Sequence, residues 1–143
     1  MTTSLDDIVA NFELLDEWDD RYRYLIELGK SLEPLPEEDH VDANKVRGCA
    51  SQVWLVAHRE GGSGPQTRLR FVGDSDAHIV RGLVALTLAI FSGQTADAIL
   101  KADAHAVFER LGLGAHLTPQ RSNGLRSMVE RIKSDARAAL QAA

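Results

Sequence analysis

The sequence has one cysteine, Cys49, in 143 residues. It cannot close an intramolecular disulfide, and it cannot alone supply the several thiolates that hold an iron–sulfur cluster. Basic residues are also short: 16 Lys and Arg stand against 21 Asp and Glu, for a net charge of −5 at pH 7. With no basic stripe, that balance argues against general nucleic-acid binding, which needs clustered positive charge at phosphates. No apolar run is long enough for a bilayer span. The longest, around Leu83 to Phe91, is short and interrupted. The first residues, Met1 to Asp7, lack the basic and apolar regions of a signal peptide. The five histidines, His40, His58, His78, His105 and His116, fall in no CxxC, HxxxH or HExxH spacing, so no metal site is expected. These absences lead to the expectation of a cytoplasmic protein in a reducing compartment, with no nucleic acid and no membrane.

What is present is an ordinary globular balance, 44% hydrophobic and 26% charged, in a length that suits one domain over residues 1–143. Ser4 caps a first predicted helix, with Leu5, Ile8, Val9, Phe12 and Leu15 on one face. Trp18, Tyr22, Leu25 and Ile26 mark a second, for which Gly29 is the stop signal. Pro34-Leu35-Pro36 ends helical structure and opens an acidic connection. Three strands are then expected: residues 44–47, 52–59 and 67–72, the last two joined through the turn Gly61-Gly62-Ser63-Gly64-Pro65. Asp74-Ser75-Asp76 reads as a helix cap, since it lacks the ligand ladder of a cation loop. The helix after it, Ile79 to Phe91, is apolar around most of its circumference and should be the most buried. Short helices are expected over 96–101 and 104–111. A terminal helix follows Thr118-Pro119, with Leu125, Met128, Val129 and Ile132 inside.

The chemistry-bearing stretch is Lys45 to Leu55. Cys49 lies in Arg47-Gly48-Cys49-Ala50-Ser51, a small-residue tip between two expected strands. Gly48 permits backbone angles that present the sulfur, and Arg47 favours thiolate if it turns inward. Against this stands the tendency of a free cysteine to pack as a small inert hydrophobe. The local residues leave both readings open. Ser51 has no GxSxG context, and Gly61 to Gly64 lacks the lysine and helix of a phosphate loop.

Larger motifs add to this. Leu35-Pro36 precedes an acidic segment. Val46-Arg47-Gly48-Cys49-Ala50-Ser51-Gln52-Val53-Trp54-Leu55 follows, then Gly73-Asp74-Ser75-Asp76-Ala77 with Ile79-Val80-Arg81-Gly82-Leu83, and last Leu117-Thr118-Pro119-Gln120-Arg121-Ser122-Asn123-Gly124-Leu125. In this order the sequence resembles the SufE family of sulfur-acceptor proteins, the CsdE branch included. The resemblance implies an α+β fold, a three-stranded antiparallel sheet packed with helices on one side as in IscU-type scaffolds. It implies a partner, a PLP-dependent cysteine desulfurase of the SufS/CsdA type, whose persulfide sulfur passes to Cys49 and on to an iron–sulfur scaffold. The PLP is the partner's; the chain itself holds no cofactor, only a covalent persulfide. By the same resemblance Gly48 is a hinge, Asp74 holds the resting loop, and Arg121 stabilises thiolate or docks the partner. Arg47 and Ser51 support the site. The tip is expected to rest against Leu35, Trp54 and the start of the last helix. The alternatives are an iron–sulfur scaffold, disfavoured by the single cysteine, and an interaction domain with an inert thiol.

Overall fold

The sheet that carries the Cys49 loop is built from β1 (Val53–Glu60), β2 (Arg68–Ser75) and the short β3 (Gln94–Thr95), in the order β1-β2-β3, all antiparallel. It belongs to a computed structural model that describes residues 4–61 and 64–141. Gly62 and Ser63, the centre of the expected turn, and residues 1–3 lie outside the described residues. In the β1–β2 register Leu55 faces Gly73, Ala57 faces Phe71 and Arg59 faces Leu69. Directly opposed residues share a face of the sheet. This face therefore carries Val53, Leu55, Leu69 and Phe71, all buried in the main core.

The strand count agrees with expectation, but the strands are not the expected three. Residues 44–47 do not form a strand. They follow a 3-10 turn, Asp42–Asn44, and touch the sheet only through a bridge from Lys45 to Trp54. The third strand is instead β3, whose two residues pair with Arg68 and Leu69. Two residues are too few to show alternation, and Thr95 also caps the next helix by accepting from the Ala98 N–H at 3.1 Å. β2 runs to Ser75 because its pairing with β1 continues to Val53. Asp74 and Asp76 consequently do not cap the following helix, and that helix begins after Ala77 with no side-chain cap.

The helices are α1 (Leu5–Leu14), α2 (Trp18–Lys30), α3 (His78–Phe91), α4 (Ala96–Lys101), α5 (Ala104–Arg110), α6 (Leu113–His116) and α7 (Pro119–Gln141). α3 is buried along most of its length and packs against α1, α2, α7 and β2. Its crossing with α2 is a backbone contact. A Cβ on Gly82 would lie 2.2 Å from the Leu25 carbonyl oxygen, and one on Gly29 2.8 Å from the Gly82 nitrogen. Gly29 is therefore a crossing residue and not a stop; α2 continues past it to Lys30. α6, for which the sequence carries no clear periodic signal, is tied to α2 by stacking of His116 on Trp18 at 3.8 Å and by the Tyr22 hydroxyl, which donates to the His116 carbonyl.

The outer face of the sheet is partly covered, although His58, Glu60 and Arg68 stay exposed. Residues 33–40 cross it as a strap. Glu33 pairs with Arg70 at 2.9 Å, and the His40 ring packs on Trp54 with centroids 4.7 Å apart. Leu35 and Val72 are buried yet stand outside the main core cluster. Val72 shares the strap's face of the sheet, opposite Val56.

Candidate functional site

Both roots of the Cys49 loop are fixed to the body. At the first root, the Val46 N–H donates to the Val53 carbonyl at 2.8 Å. Arg131 of α7 donates to the carbonyls of Lys45 and Ala43, each at 3.2 Å. At the second root, Asp76 accepts from the Gln52 N–H at 3.0 Å and from its side-chain amide at 3.3 Å, and the Asp76 N–H donates back to the Gln52 carbonyl at 3.3 Å. Between the roots lie Arg47 to Ser51. Among the described residues, these five make one hydrogen bond to the rest of the chain: the Cys49 thiol donates to the Gly124 carbonyl, with Sγ 3.7 Å from the oxygen.

Gly48 sits at φ +90°, a conformation that side-chain-bearing residues rarely adopt. A Cβ there would also fall 2.5 Å from the Ser127 hydroxyl oxygen on α7. Two independent constraints thus demand glycine next to the thiol.

The loop closes over a cavity of about 300 Å³. Its walls are Val80 and Leu83 of α3 with Gly124 and Met128 of α7, and Thr118, Gln120 and Arg121 form its rim. Cys49 is half-buried, and burial pushes its thiol above the usual range. The Gly124 carbonyl reinforces this, because an acceptor favours the S–H form over the thiolate. At rest the sulfur is therefore partly shielded, in a setting that favours the thiol over the thiolate, beside a cavity with apolar walls and a polar rim. Shielding suits a sulfur that must avoid stray thiols; nucleophilic attack requires the thiolate.

The structure gathers most of the residues expected at the site. Cys49, Ser51 and Arg121 line one cavity, with Gly48 bending the loop. Arg121 is exposed in the first turn of α7, where its N–H donates to the Thr118 hydroxyl at 3.3 Å. Arg47 is exposed at the tip. The start of α7 contacts the thiol as expected, whereas Leu35 and Trp54 are not among the residues lining this cavity. Asp74 lies elsewhere: its carboxylate meets His40 at 2.8 Å and Arg81 at 3.1 Å. The carboxylate on the loop is that of Asp76, two residues on. Gly124 and Ser127 were missed as site residues. Gly124 had a readable signal, since a glycine inside a helix costs about 1 kcal/mol relative to alanine and so marks a close approach. Here a Cβ would sit 3.4 Å from the Cys49 sulfur.

Residues 6–136 match the SufE family profile, described as an Fe–S metabolism associated domain. The chain belongs to the SufE family. Two uncharacterized SufE-like proteins resemble it over nearly their full lengths. One, from Rhizobium meliloti (strain 1021), is 58% identical over 140 residues, covering 98% of this chain and 99% of the relative. The other, from Rhizobium etli, is 56% identical over 135 residues, covering 94% and 90%. A solution structure of a hypothetical protein from Thermus thermophilus shares the fold, with a TM-score of 0.75, 24% identity and 96% of each chain covered. Membership of the SufE family assigns this chain a role in Fe–S metabolism. Among the described residues, no helix is long and apolar enough to cross a membrane.

Proposed function

We propose that this SufE-family chain is a cytoplasmic sulfur acceptor that takes persulfide sulfur from a PLP-dependent cysteine desulfurase onto Cys49 and passes it toward iron–sulfur assembly. The observation that carries this reading is the position of the only cysteine: on a five-residue glycine-bent loop, at the mouth of a cavity shared with Arg121. In the transfer, Cys49 first loses its proton and leaves the Gly124 carbonyl. Its thiolate attacks the outer sulfur of the partner's cysteine persulfide. A new S–S bond forms at Cys49, the partner's S–S bond breaks, and the partner's inner sulfur departs as a thiolate. No net oxidation occurs. The PLP stays with the desulfurase and supplies the chemistry that first releases sulfur from cysteine.

The resting thiol is a poor nucleophile, so docking has work to do. Moving Cys49 out of its half-buried position removes the desolvation that disfavours its thiolate. Arg121 and Arg47, both exposed next to the loop, then offer positive charge to the thiolate or to the docking surface. The persulfide, once formed, returns to the cavity beside Met128 and Leu83, where it is partly shielded from solvent.

The test is incubation with a SufS-type desulfurase and cysteine, followed by intact mass before and after a reductant. The expected result is a reducible gain of one sulfur atom at Cys49, absent in Cys49→Ser. Persistence of that adduct in Cys49→Ser would refute the assignment. The burial that raises the thiol also suits an interaction domain with an inert thiol. That reading requires Cys49 to resist alkylation even with the desulfurase bound.

A further inference from the structure

Outside the cavity, one charged cluster reaches the loop's first root through Trp54. His40 lies in the strap with both ring nitrogens facing acceptors: Nε2 is 2.8 Å from an Asp74 carboxylate oxygen, and Nδ1 is 3.1 Å from the Pro36 carbonyl. A neutral imidazole carries one N–H, so it satisfies only one of these contacts and sets a lone pair against the other. Only the imidazolium donates to both. The second Asp74 oxygen faces Arg81 of α3 at 3.1 Å. The His40 ring rests edge-on against Trp54, the residue that bridges to Lys45. Arg131 holds the carbonyls of Ala43 and Lys45 on the same segment.

We propose that His40 is a proton-dependent positioning residue for Cys49: its imidazolium latches the strap to Asp74 and Trp54, and loss of that proton loosens the first root of the loop. The charged groups that face the ring are Asp74 from β2 and, through it, Arg81 from α3. Pro36 and Glu37 of its own segment contribute carbonyls, and Trp54 from β1 contributes an uncharged ring. The hydrogen bond to Asp74 raises the His40 pKa above 6.5, with the neighbouring carbonyls adding to it and burial opposing. The latch's contribution to stability is therefore complete below about 6.5 and is lost as pH rises through the raised value. Histidine is the side chain whose ordinary titration lies nearest physiological pH, so a histidine latch can respond to its surroundings. The direction also matches the chemistry: the loop loosens on the alkaline side, where the thiol is closer to ionising.

The inference rests on Cys49 being the working group, but its test needs no partner and no sulfur transfer. Cys49 alkylation is followed from about pH 5.5 to about pH 8.5, the range in which histidine titrates. Each rate is divided by the thiolate fraction, calculated from the Cys49 ionisation midpoint of the same variant, which ultraviolet absorbance gives in a titration carried to higher pH. In the unaltered protein the normalised rate should rise about threefold or more, with a midpoint equal to that of the His40 ring proton in an NMR titration. His40→Gln, which cannot become cationic, should be flat at the fast end. His40→Arg, always cationic, should be flat at the slow end. A flat profile in the unaltered protein, or an unchanged step in His40→Gln, overturns the proposal. A purely structural role for His40 predicts a shift in stability without any loss of the pH step, and that outcome overturns it as well. Failure of sulfur loading with the pH step intact would instead count against the acceptor reading alone.

Discussion

Replacing Gly48 by alanine tests the loop geometry most directly. Two effects act on one added methyl group. The first is backbone strain: φ +90° costs a side-chain-bearing residue about 1–2 kcal/mol. The second is contact, because the new Cβ would lie 2.5 Å from the Ser127 hydroxyl oxygen. That oxygen ends a short rotatable side chain, so rotation relieves part of the clash. Removing it leaves the Ser127 Cβ at 3.5 Å, an ordinary contact. The loop has one further escape, since it can leave the cavity by breaking the single thiol contact to Gly124. The measured loss of global stability therefore cannot exceed the free energy that keeps the loop seated. Strain up to that value also raises the open population, about tenfold for each 1.4 kcal/mol. Urea unfolding reports the first quantity, and the alkylation rate of Cys49 in the folded protein reports the second. We expect Gly48→Ala to lower stability by about 2 kcal/mol, or by the seating free energy if that is smaller, and to speed alkylation correspondingly, with Ser127→Ala in the same chain recovering the contact part but not the strain. No change in either measurement would refute the argument. Equal losses with and without the Ser127 hydroxyl would refute its steric half.

Two other substitutions separate the loop from the scaffold. Asp76→Ala removes the carboxylate that holds Gln52; the group is exposed, so the loss should be about 1 kcal/mol, read as roughly fivefold faster Cys49 alkylation. An unchanged rate would mean that the second root is held by the β1–β2 pairing alone. Gly82→Ala places a Cβ 2.2 Å from a backbone carbonyl that cannot rotate away, so α2 and α3 must separate, at about 2–3 kcal/mol in urea unfolding. A loss below about 0.5 kcal/mol, the range of an ordinary surface change, would contradict the backbone contact.

The elements legible in the sequence were those with a period long enough to repeat. α3 announced itself by apolar residues on nearly every side, and α7 by a stripe from Leu125 to Ile132 behind Thr118-Pro119. The sheet was half legible. β1 and β2 are eight residues long and alternate over their first four, but β3 has two residues, and its partner on β2 is chosen by where α3 ends. Residues 44–47 look extended and are extended in part, yet one bridge does not make a ladder. Gly29 illustrates the limit of local signals. A glycine near a helix end marks a stop if nothing approaches it, and a crossing if another backbone does. Only the position of Gly82, more than fifty residues away, decides between them.

The site divides the same way, and the division bears on how the loop works. Local sequence marks the tip, because Gly48, Cys49 and Ser51 are adjacent residues with recognisable properties. The restraints are nonlocal: Asp76 on Gln52, Arg131 on Lys45, Ser127 against Gly48, and His40 with Asp74. They come from three parts of the chain, the strap, the end of β2 and α7, and none of them is readable from residues 47–51 alone. All but one of them act outside the tip, at its roots or on the strap beyond the first. The exception, Ser127, touches the glycine and makes no hydrogen bond to it among the described contacts. Among the described residues, the thiol's hydrogen bonding to the body is thus a single weak S–H···O contact between two firmly held ends, supplemented by packing against the core. Such a loop can release Cys49 without unfolding either root. The energy that decides between cavity and solvent is then small enough for a docking partner, or a single proton at His40, to shift.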